Sequence, residues 1–126
     1  MATAAAPRYP RRGEIWYIQL PTDPPEKGRR PVLIVSVDAR NTHPRAETVL
    51  VVPFSTSVHK DVPTHVYLNP GETGLELSVL KAEDIAVVRR ESLSPPRNRL
   101  RDVSNARICD LAEKVRIAMG CSPRIR

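Results

Sequence analysis

A buried β-strand is predicted most clearly by residues 28–36, which read GRRPVLIVS. Short, uninterrupted runs of Val, Leu and Ile are typical of strands that are buried on both faces. Pro31 suits the first position of such a strand because it has no N–H to donate, and it favours an extended backbone at Arg30. A planar, permanently charged guanidinium at the mouth of a rigid strand can bind a phosphate or a carboxylate. On this stretch alone, solvated arginines beside a strand are the more ordinary interpretation.

Further strands are predicted on both sides of this one. Residues 14–20 (EIWYIQL) are aromatic and β-branched, which favours a strand, and residues 48–54 (TVLVVPF) predict another. Pro53 lies near the end of that strand and indicates an edge strand or a bulge. The strand described first spans residues 31–37. The remaining predicted strands are 64–68 and the pair 77–81 and 84–88, which is either two short strands or one bent strand.

The last predicted element is an amphipathic helix. Apolar residues recur at three- and four-residue steps between residues 103 and 119, which is the spacing of one helix face. Asp102 or Ser104 can cap its N-terminus, and Gly120 is placed for a C-terminal cap. Cys109 is predicted on the apolar face as a small core residue. A helix that covers the sheet is the ordinary interpretation, and a partner contact is the alternative.

Five or six short strands followed by one helix predict a mainly β protein with a C-terminal helix. We expect a small, strongly bent antiparallel sheet or SH3-like barrel, with a compact α+β fold as the alternative. The length of 126 residues fits one domain. That domain is predicted over residues 11–121, after a disordered lead-in at 1–10 and before a short tail at 122–126.

The composition indicates an anionic partner. The chain carries 20 Lys and Arg against 14 Asp and Glu, a formal net charge of +6, which suits a nucleic acid or an acidic protein segment. With only 4% aromatic residues, a platform that stacks many bases is not expected. No apolar stretch reaches transmembrane length and no secretion signal is recognised, so a cytoplasmic protein is expected.

Four segments together resemble the MazF/PemK family of toxin endoribonucleases, the mRNA interferases of type II toxin–antitoxin modules. They are RGEIW at 12–16, GRRPVLIVS at 28–36, VVPFSTS at 51–57 and PTHV at 63–66. Their order and spacing also match, and the similarity covers about residues 11–121.

The resemblance implies a bent, barrel-like sheet of the kind found in MazF and CcdB toxins. It also implies a homodimer that cleaves single-stranded RNA at selected sequences, without a metal ion or another cofactor. The expected partners are single-stranded RNA and a cognate antitoxin whose acidic, disordered tail lies over the RNA-binding groove. Such a tail can fold onto a basic surface.

Metal-free RNA cleavage uses the neighbouring 2′-OH as nucleophile. It needs a proton acceptor, a proton donor for the leaving 5′-oxygen, and positive charge beside the phosphate. By the resemblance, Arg30 binds the phosphate, and a structural ion pair with Glu14 or another carboxylate is the alternative interpretation. Ser55 takes the position of the family's threonine. If the strand is shifted by one residue, Thr56 takes that role instead.

The resemblance points to Glu83 and Lys81 as further site residues, while Lys27, Arg29 and His59 are selected by their positions in the loops. Glu83 falls where several members carry an acidic residue, and it is expected to act as the base or to orient one. Solvated charges beside a strand are the alternative interpretation of Glu83. Further substrate-binding residues are expected at Lys27, Arg29, His59 and Lys81.

This chain departs from the family pattern in two ways. Serine replaces threonine at Ser55, and the first loop lacks the histidine that some members place there. Two other functions therefore stay open. One is a non-catalytic module that binds nucleic acid or an antitoxin, and the other is a toxin directed against DNA gyrase.

Overall fold

The computed structural model describes residues 8–59, 61–97 and 99–121. The predicted tail and the first seven residues of the predicted lead-in lie outside this described part of the chain.

Six antiparallel strands form one sheet, and the expected bent antiparallel architecture is confirmed. Their order is β1-β2-β3-β5-β4, with β6 also paired to β3. In the described residues no pairing joins β1 to β4, so the sheet is open rather than a closed barrel. The strands are β1 (Ile15–Ile18), β2 (Arg30–Ile34), β3 (Thr48–Ser55), β4 (His65–Leu68), β5 (Ser78–Lys81) and β6 (Ala86–Arg89).

Strand β3 is central because it takes part in three pairings. It pairs with β2 through residues 51–53, and its other edge pairs first with β6 and then with β5. Between these two ladders Val51 is opposite Ala86 and Phe54 is opposite Leu80. Pro53 falls in the gap, opposite a short 3-10 helix, where its missing N–H costs no ladder bond. The edge-strand interpretation of Pro53 is therefore wrong, because β3 is paired along both edges. The gap marks the change of partner from β6 to β5.

The core lies on both faces of the sheet. One cluster includes Ile15, Leu33 and Val52, and a second includes Trp16 and Val32. Alternate residues of a strand point to opposite faces, so the continuous apolar run of β2 supplies both clusters. Full burial of each such side chain stabilises the fold by roughly 1.5–3 kcal/mol, which makes β2 a rigid support for the residue at its entrance.

Within the described ranges three α-helices accompany the sheet, and none of them is long and apolar enough to span a membrane. Short 3-10 helices lie at Pro25–Lys27, Ala82–Asp84 and Arg90–Ser92. The α-helices are α1 (Asp38–Asn41), α2 (Pro70–Thr73) and α3 (Asn105–Ala118).

Helix α3 covers one face of the sheet through the buried residues Ile108 and Leu111. Of the two predicted N-caps, Ser104 is the one used, and its side chain accepts a hydrogen bond from the N–H of residue 107. Gly120 is left-handed (φ 81°) and closes the C-terminus as predicted. Cys109 is exposed, so its prediction as a core residue is wrong. Only Ile108 and Leu111 of the helix are buried, so the buried face is narrower than the spacing of its apolar residues predicts.

The last three residues of the predicted lead-in pack against the domain. Arg8 pairs with Glu14 at 2.7 Å, and its guanidinium lies 5.6 Å from the centre of the Trp16 ring. Tyr9 lies beneath the guanidinium of Arg90, 4.5 Å from the ring centre. These contacts attach residues 8–10 to the edge of the sheet.

Candidate active site

A groove of about 590 Å³ opens where β2 begins and β3 ends. We call it the β2–β3 groove. It combines two cationic side chains, several hydroxyl groups and one carboxylate. The groove is lined by Lys27, Arg30, Pro31, Phe54, Ser55, Thr56, Ser57, Leu75, Glu76 and Ser78.

Arg30 is held from two directions. Its Nη1 donates to both carboxylate oxygens of Asp23, at 3.2 and 3.3 Å, and its Nη2 donates to the carbonyl oxygen of Phe54 at 2.9 Å. The side chain is 20% exposed, and its Nε–H has no hydrogen-bond partner among the described residues. Asp23 and Phe54 therefore fix the guanidinium in place at the groove and leave its Nε–H unengaged by either of them.

The hydroxyl groups come from the turn that follows β3. Ser55 is the last residue of the strand, and its Oγ accepts a hydrogen bond of 3.1 Å from the N–H of Ser57. This local bond stabilises the turn that also carries Thr56. The carbonyl of Phe54 anchors Arg30, and Ser55 is the next residue along the chain. The Ser55 hydroxyl is therefore one residue away from the carbonyl that holds the guanidinium.

A buried serine supports the opposite wall of the groove. Ser78 is 2% exposed, and its Oγ donates to the carbonyl oxygen of Glu76 at 2.6 Å. The exposed Glu76 is the one carboxylate among the described groove-lining residues. Sequence reasoning did not select Glu76, since it lies in an irregular stretch between α2 and β5 with no motif around it.

Four of the predicted site residues meet in the β2–β3 groove, namely Lys27, Arg30, Ser55 and Thr56. The other four are not among its lining residues. Arg29 points to the segment after β6 and donates to the carbonyl of Ser92 at 3.3 Å. The carbonyl of His59 accepts a hydrogen bond from the hydroxyl of Tyr67.

Glu83 belongs to a separate polar cluster. Its carboxylate accepts a hydrogen bond of 2.5 Å from the Thr64 hydroxyl and lies 3.3 Å from Nε2 of His65. The His65 side chain is buried, and its Nδ1 has no hydrogen-bond partner among the described residues. Lys81 is opposite His65 in the β4–β5 ladder. These contacts tie the short 3-10 helix at residues 82–84 to β4.

A second residue that the sequence did not reveal is Asp23. It lies in the proline-containing loop between β1 and β2, where nothing in the pattern distinguishes it from its polar neighbours. The structure identifies it through its contacts with Arg30 and with Lys27, whose Nζ is 4.0 Å from Oδ1.

The groove suits a phosphodiester. A fixed guanidinium and a lysine supply positive charge, hydroxyl groups supply hydrogen bonds, and Glu76 supplies a group that can accept a proton. Within the described residues no cluster of three or more His, Cys, Asp and Glu side chains could hold a metal ion.

Comparisons with known proteins agree with this architecture. The family described as "PemK-like, MazF-like toxin of type II toxin-antitoxin system" matches residues 11–119. A relative named Endoribonuclease MazF9, from Mycobacterium tuberculosis (strain ATCC 25618 / H37Rv), is 33% identical over 115 residues, covering 85% of this chain and 93% of that protein.

Solved structures also match. An endoribonuclease from a mycobacterial species, in complex with its cognate antitoxin, superposes with a TM-score of 0.71 at 26% identity, over 91% of this chain and 99% of that chain. MazF from a MazE–MazF complex of Deinococcus radiodurans gives a TM-score of 0.69 at 20% identity, over 92% of this chain and 100% of the matched chain. The latter likeness supports the fold alone. This chain thus belongs to the family of PemK-like, MazF-like toxins of type II toxin–antitoxin systems.

Proposed function

We propose that this toxin is an endoribonuclease that cleaves single-stranded RNA in the β2–β3 groove, at selected sequences and without a metal ion. One observation carries the proposal. Arg30 is fixed at the mouth of β2 by Asp23 and Phe54, and the hydroxyl groups of Ser55 and Thr56 line the same groove. The 33% identical relative named an endoribonuclease supports the same activity.

The reaction proceeds by attack of the ribose 2′-oxygen on the adjacent phosphorus. The O2′–P bond forms as the 2′-OH proton passes to a carboxylate, and the P–O5′ bond breaks as O5′ takes a proton from solvent. The products carry a 2′,3′-cyclic phosphate and a 5′-hydroxyl. Arg30 stabilises the negative charge that builds up on the phosphate oxygens, and Ser55 or Thr56 donates a hydrogen bond to the same group. One preorganised donor of this kind is worth roughly 3–4 kcal/mol of transition-state stabilisation.

Two carboxylates are candidates for the group that accepts the proton of the 2′-OH. Glu83 is the family-derived candidate, but its carboxylate is engaged with Thr64 and His65. Glu76 lines the groove itself and is exposed. Because a general base must come within hydrogen-bond reach of the proton it removes, the geometry favours Glu76.

The proposal extends to the surfaces that bind the rest of the RNA. Lys27 lines the groove beside Arg30 and is assigned to a phosphate. Arg29, His59 and Lys81 lie outside the groove lining and are assigned to flanking nucleotides. Lysine and arginine contacts to phosphates give affinity that falls with salt concentration.

A cognate antitoxin is the proposed protein partner, located with the toxin in the cytoplasm. The net charge of +6 suits an acidic, disordered segment that folds onto the groove and blocks it. The mycobacterial relative with a TM-score of 0.71 was solved with its cognate antitoxin, which supports this assignment.

A second copy of the chain is the other proposed partner. Val37, Ile85 and Val87 are 59%, 39% and 60% exposed, and Leu50 is opposite Val87 in the β3–β6 ladder. We call these four residues the β6 patch. An apolar groove of about 310 Å³ adjoins it and reaches helix α3. Exposed apolar surface of this kind marks an interface, and a self-complementary patch forms a two-fold dimer.

The activity is tested by incubating the purified protein with a long mixed-sequence RNA in the presence of EDTA and mapping the new ends. We expect discrete cleavage sites that share a short sequence, with 5′-hydroxyl ends downstream of each site. RNA binding without products would support the non-catalytic alternative. Inhibition of gyrase supercoiling with intact RNA would support the gyrase alternative. Either result would overturn the endoribonuclease proposal.

A further inference from the structure

We propose that Asp23 is a positioning residue of the active site, which fixes the guanidinium of Arg30 for the scissile phosphate. The inference rests on the proposed function, because it concerns how Arg30 serves RNA cleavage. It assigns a role to a residue that no sequence motif selects.

Asp23 is unusual within its loop. Its side chain is 9% exposed, whereas the other residues between 21 and 27 are exposed. A turn bond of 3.1 Å from its N–H to the carbonyl of Leu20 holds the backbone where the carboxylate faces inward. A carboxylate is costly to bury without a partner, and here Arg30 supplies that partner. The contact therefore anchors the loop to the first residue of β2.

The contact sets the direction of the guanidinium. Both oxygens of Asp23 accept from Nη1 of Arg30, at 3.2 and 3.3 Å, while the carbonyl of Phe54 accepts from Nη2 at 2.9 Å. Acceptors on two nitrogens of a planar group fix both its position and its plane. The Nε–H edge remains for the phosphate. Without Asp23, Arg30 keeps only the Phe54 bond and can rotate about it.

Asp23 also holds two cations close together. Lys27 lies 4.0 Å from Oδ1 of Asp23, and both Lys27 and Arg30 line the groove. Two like charges repel each other, so a shared carboxylate between them reduces the cost of concentrating positive charge at one place. Since Asp23 is not among the groove-lining residues, it acts behind the cations rather than on the substrate.

This arrangement has a specific kinetic consequence. RNA binding draws on many charges across the basic surface, whereas transition-state stabilisation depends on the placement of Arg30. Small misplacements of a catalytic group can cost about 100-fold in rate. Loss of Asp23 is therefore expected to lower kcat far more than it changes KM.

The test compares Asp23→Asn and Asp23→Glu with Glu26→Gln as the matched control. Glu26 is an exposed carboxylate in the same loop, with no ion pair to any described residue. Each full-length variant is checked by thermal denaturation, and kcat and KM are measured on a defined RNA oligonucleotide. We expect Asp23→Asn to lower kcat by about 10- to 100-fold with KM changed less than about 3-fold, Asp23→Glu to recover part of the loss, and Glu26→Gln to match wild type.

Two further measurements separate positioning from a merely structural role. The first places Asp23→Asn in an Arg30→Ala background, where it is expected to have no additional effect on the residual rate. The second follows the Nε–H signal of Arg30 by NMR of nitrogen-labelled protein, assigned by its loss in Arg30→Lys. We expect Asp23→Asn to shift or broaden that signal and Glu26→Gln to leave it unchanged.

Several results would overturn the inference. One is that Asp23→Asn has wild-type kinetics. Another is that Asp23→Asn raises kcat, which would make Asp23 inhibitory. A third is that Asp23→Asn lowers the rate as much in the Arg30→Ala background as in the wild-type background. An unchanged Nε–H signal would do the same. If the wild-type protein fails to cleave RNA, the proposed function fails instead, and the NMR comparison still reports whether Asp23 orients Arg30.

Discussion

The guanidinium of Arg30 donates a hydrogen bond of 2.9 Å to the carbonyl oxygen of Phe54. This bond joins the first residue of β2 to the end of β3, one residue before the hydroxyl of Ser55. The guanidinium of Arg30 and the turn that carries the Ser55 hydroxyl therefore lie at the same groove. Both are held there by strands that are packed into the core. The proposed chemistry depends on this juxtaposition.

Ser55 is expected to be the hydroxyl that contacts the scissile phosphate. Because it follows the anchored Phe54 directly, Ser55→Ala should lower kcat by about 100-fold, while Ser55→Thr should retain activity. Single-turnover cleavage of a short RNA measures both. Thr22→Ala, at an exposed hydroxyl that does not line the groove, is the control. A larger loss in Thr56→Ala than in Ser55→Ala would transfer the role to Thr56.

The two candidate bases are expected to behave differently. Glu76→Gln should lower kcat by about 100-fold or more, because the groove then has no lining carboxylate among the described residues. Glu83→Gln should mainly lower the melting temperature, since it weakens the contacts to Thr64 and His65. The reverse pattern would identify Glu83 as the base.

Gly74 is expected to be essential for the turn between α2 and β5. Its φ is +83°, and a Cβ added there would lie 2.2 Å from the carbonyl oxygen of Arg99. A strained backbone position alone costs roughly 1–3 kcal/mol. Gly74→Ala should therefore lower the free energy of unfolding by more than that amount. Denaturant unfolding measures the change.

Gly120→Ala is the matched control for that measurement. Gly120 has a similar φ of +81°, but a Cβ added there meets nothing within 4 Å in the described part of the chain, so only the conformational cost applies. Equal losses of stability in the two variants would show that the contact with Arg99 has no effect.

The β6 patch is expected to form the dimer interface. Val87→Glu places a charge in its centre, which should shift the protein from dimer to monomer because burying an unpaired charge is costly. Light scattering after size-exclusion chromatography measures the mass. Leu77→Glu, at an exposed apolar residue outside the patch, should stay dimeric. A Val87→Glu protein that remains dimeric would exclude this interface.

The strands and the closing helix could be predicted because their signals are local. The apolar run of β2 and the capping positions Ser104 and Gly120 depend on residues close in the sequence. The exposure of Cys109 could not be predicted, because the spacing of apolar residues shows which face of a helix is buried but not how wide the buried face is. The centrality of β3, and with it the setting of Pro53, depends on pairings with β5 and β6 that no local pattern encodes.

The residues of the candidate site also fall into two groups, those that could be predicted from the sequence and those that could not. Arg30, Ser55 and Thr56 could be found because each lies at a strand end within a motif. Asp23 and Glu76 could not, since each lies in an irregular segment and acquires its place only through tertiary contacts. Glu83 matches a family position, yet its contacts are with Thr64 and with His65 at the start of β4, and the comparison with Glu76 tests its proposed role.

Cleavage of a defined RNA by Arg30→Ala, compared with Arg29→Ala in EDTA, tests the central claim most directly. The two arginines are adjacent in sequence, but Arg30 lines the groove whereas Arg29 contacts Ser92. At saturating RNA, where a lost flanking contact raises KM and not kcat, we expect wild type and Arg29→Ala to form 2′,3′-cyclic phosphate ends with similar kcat, and Arg30→Ala to lose at least about 100-fold in kcat. Wild-type cleavage by Arg30→Ala, or an equal loss in both variants, would contradict the account.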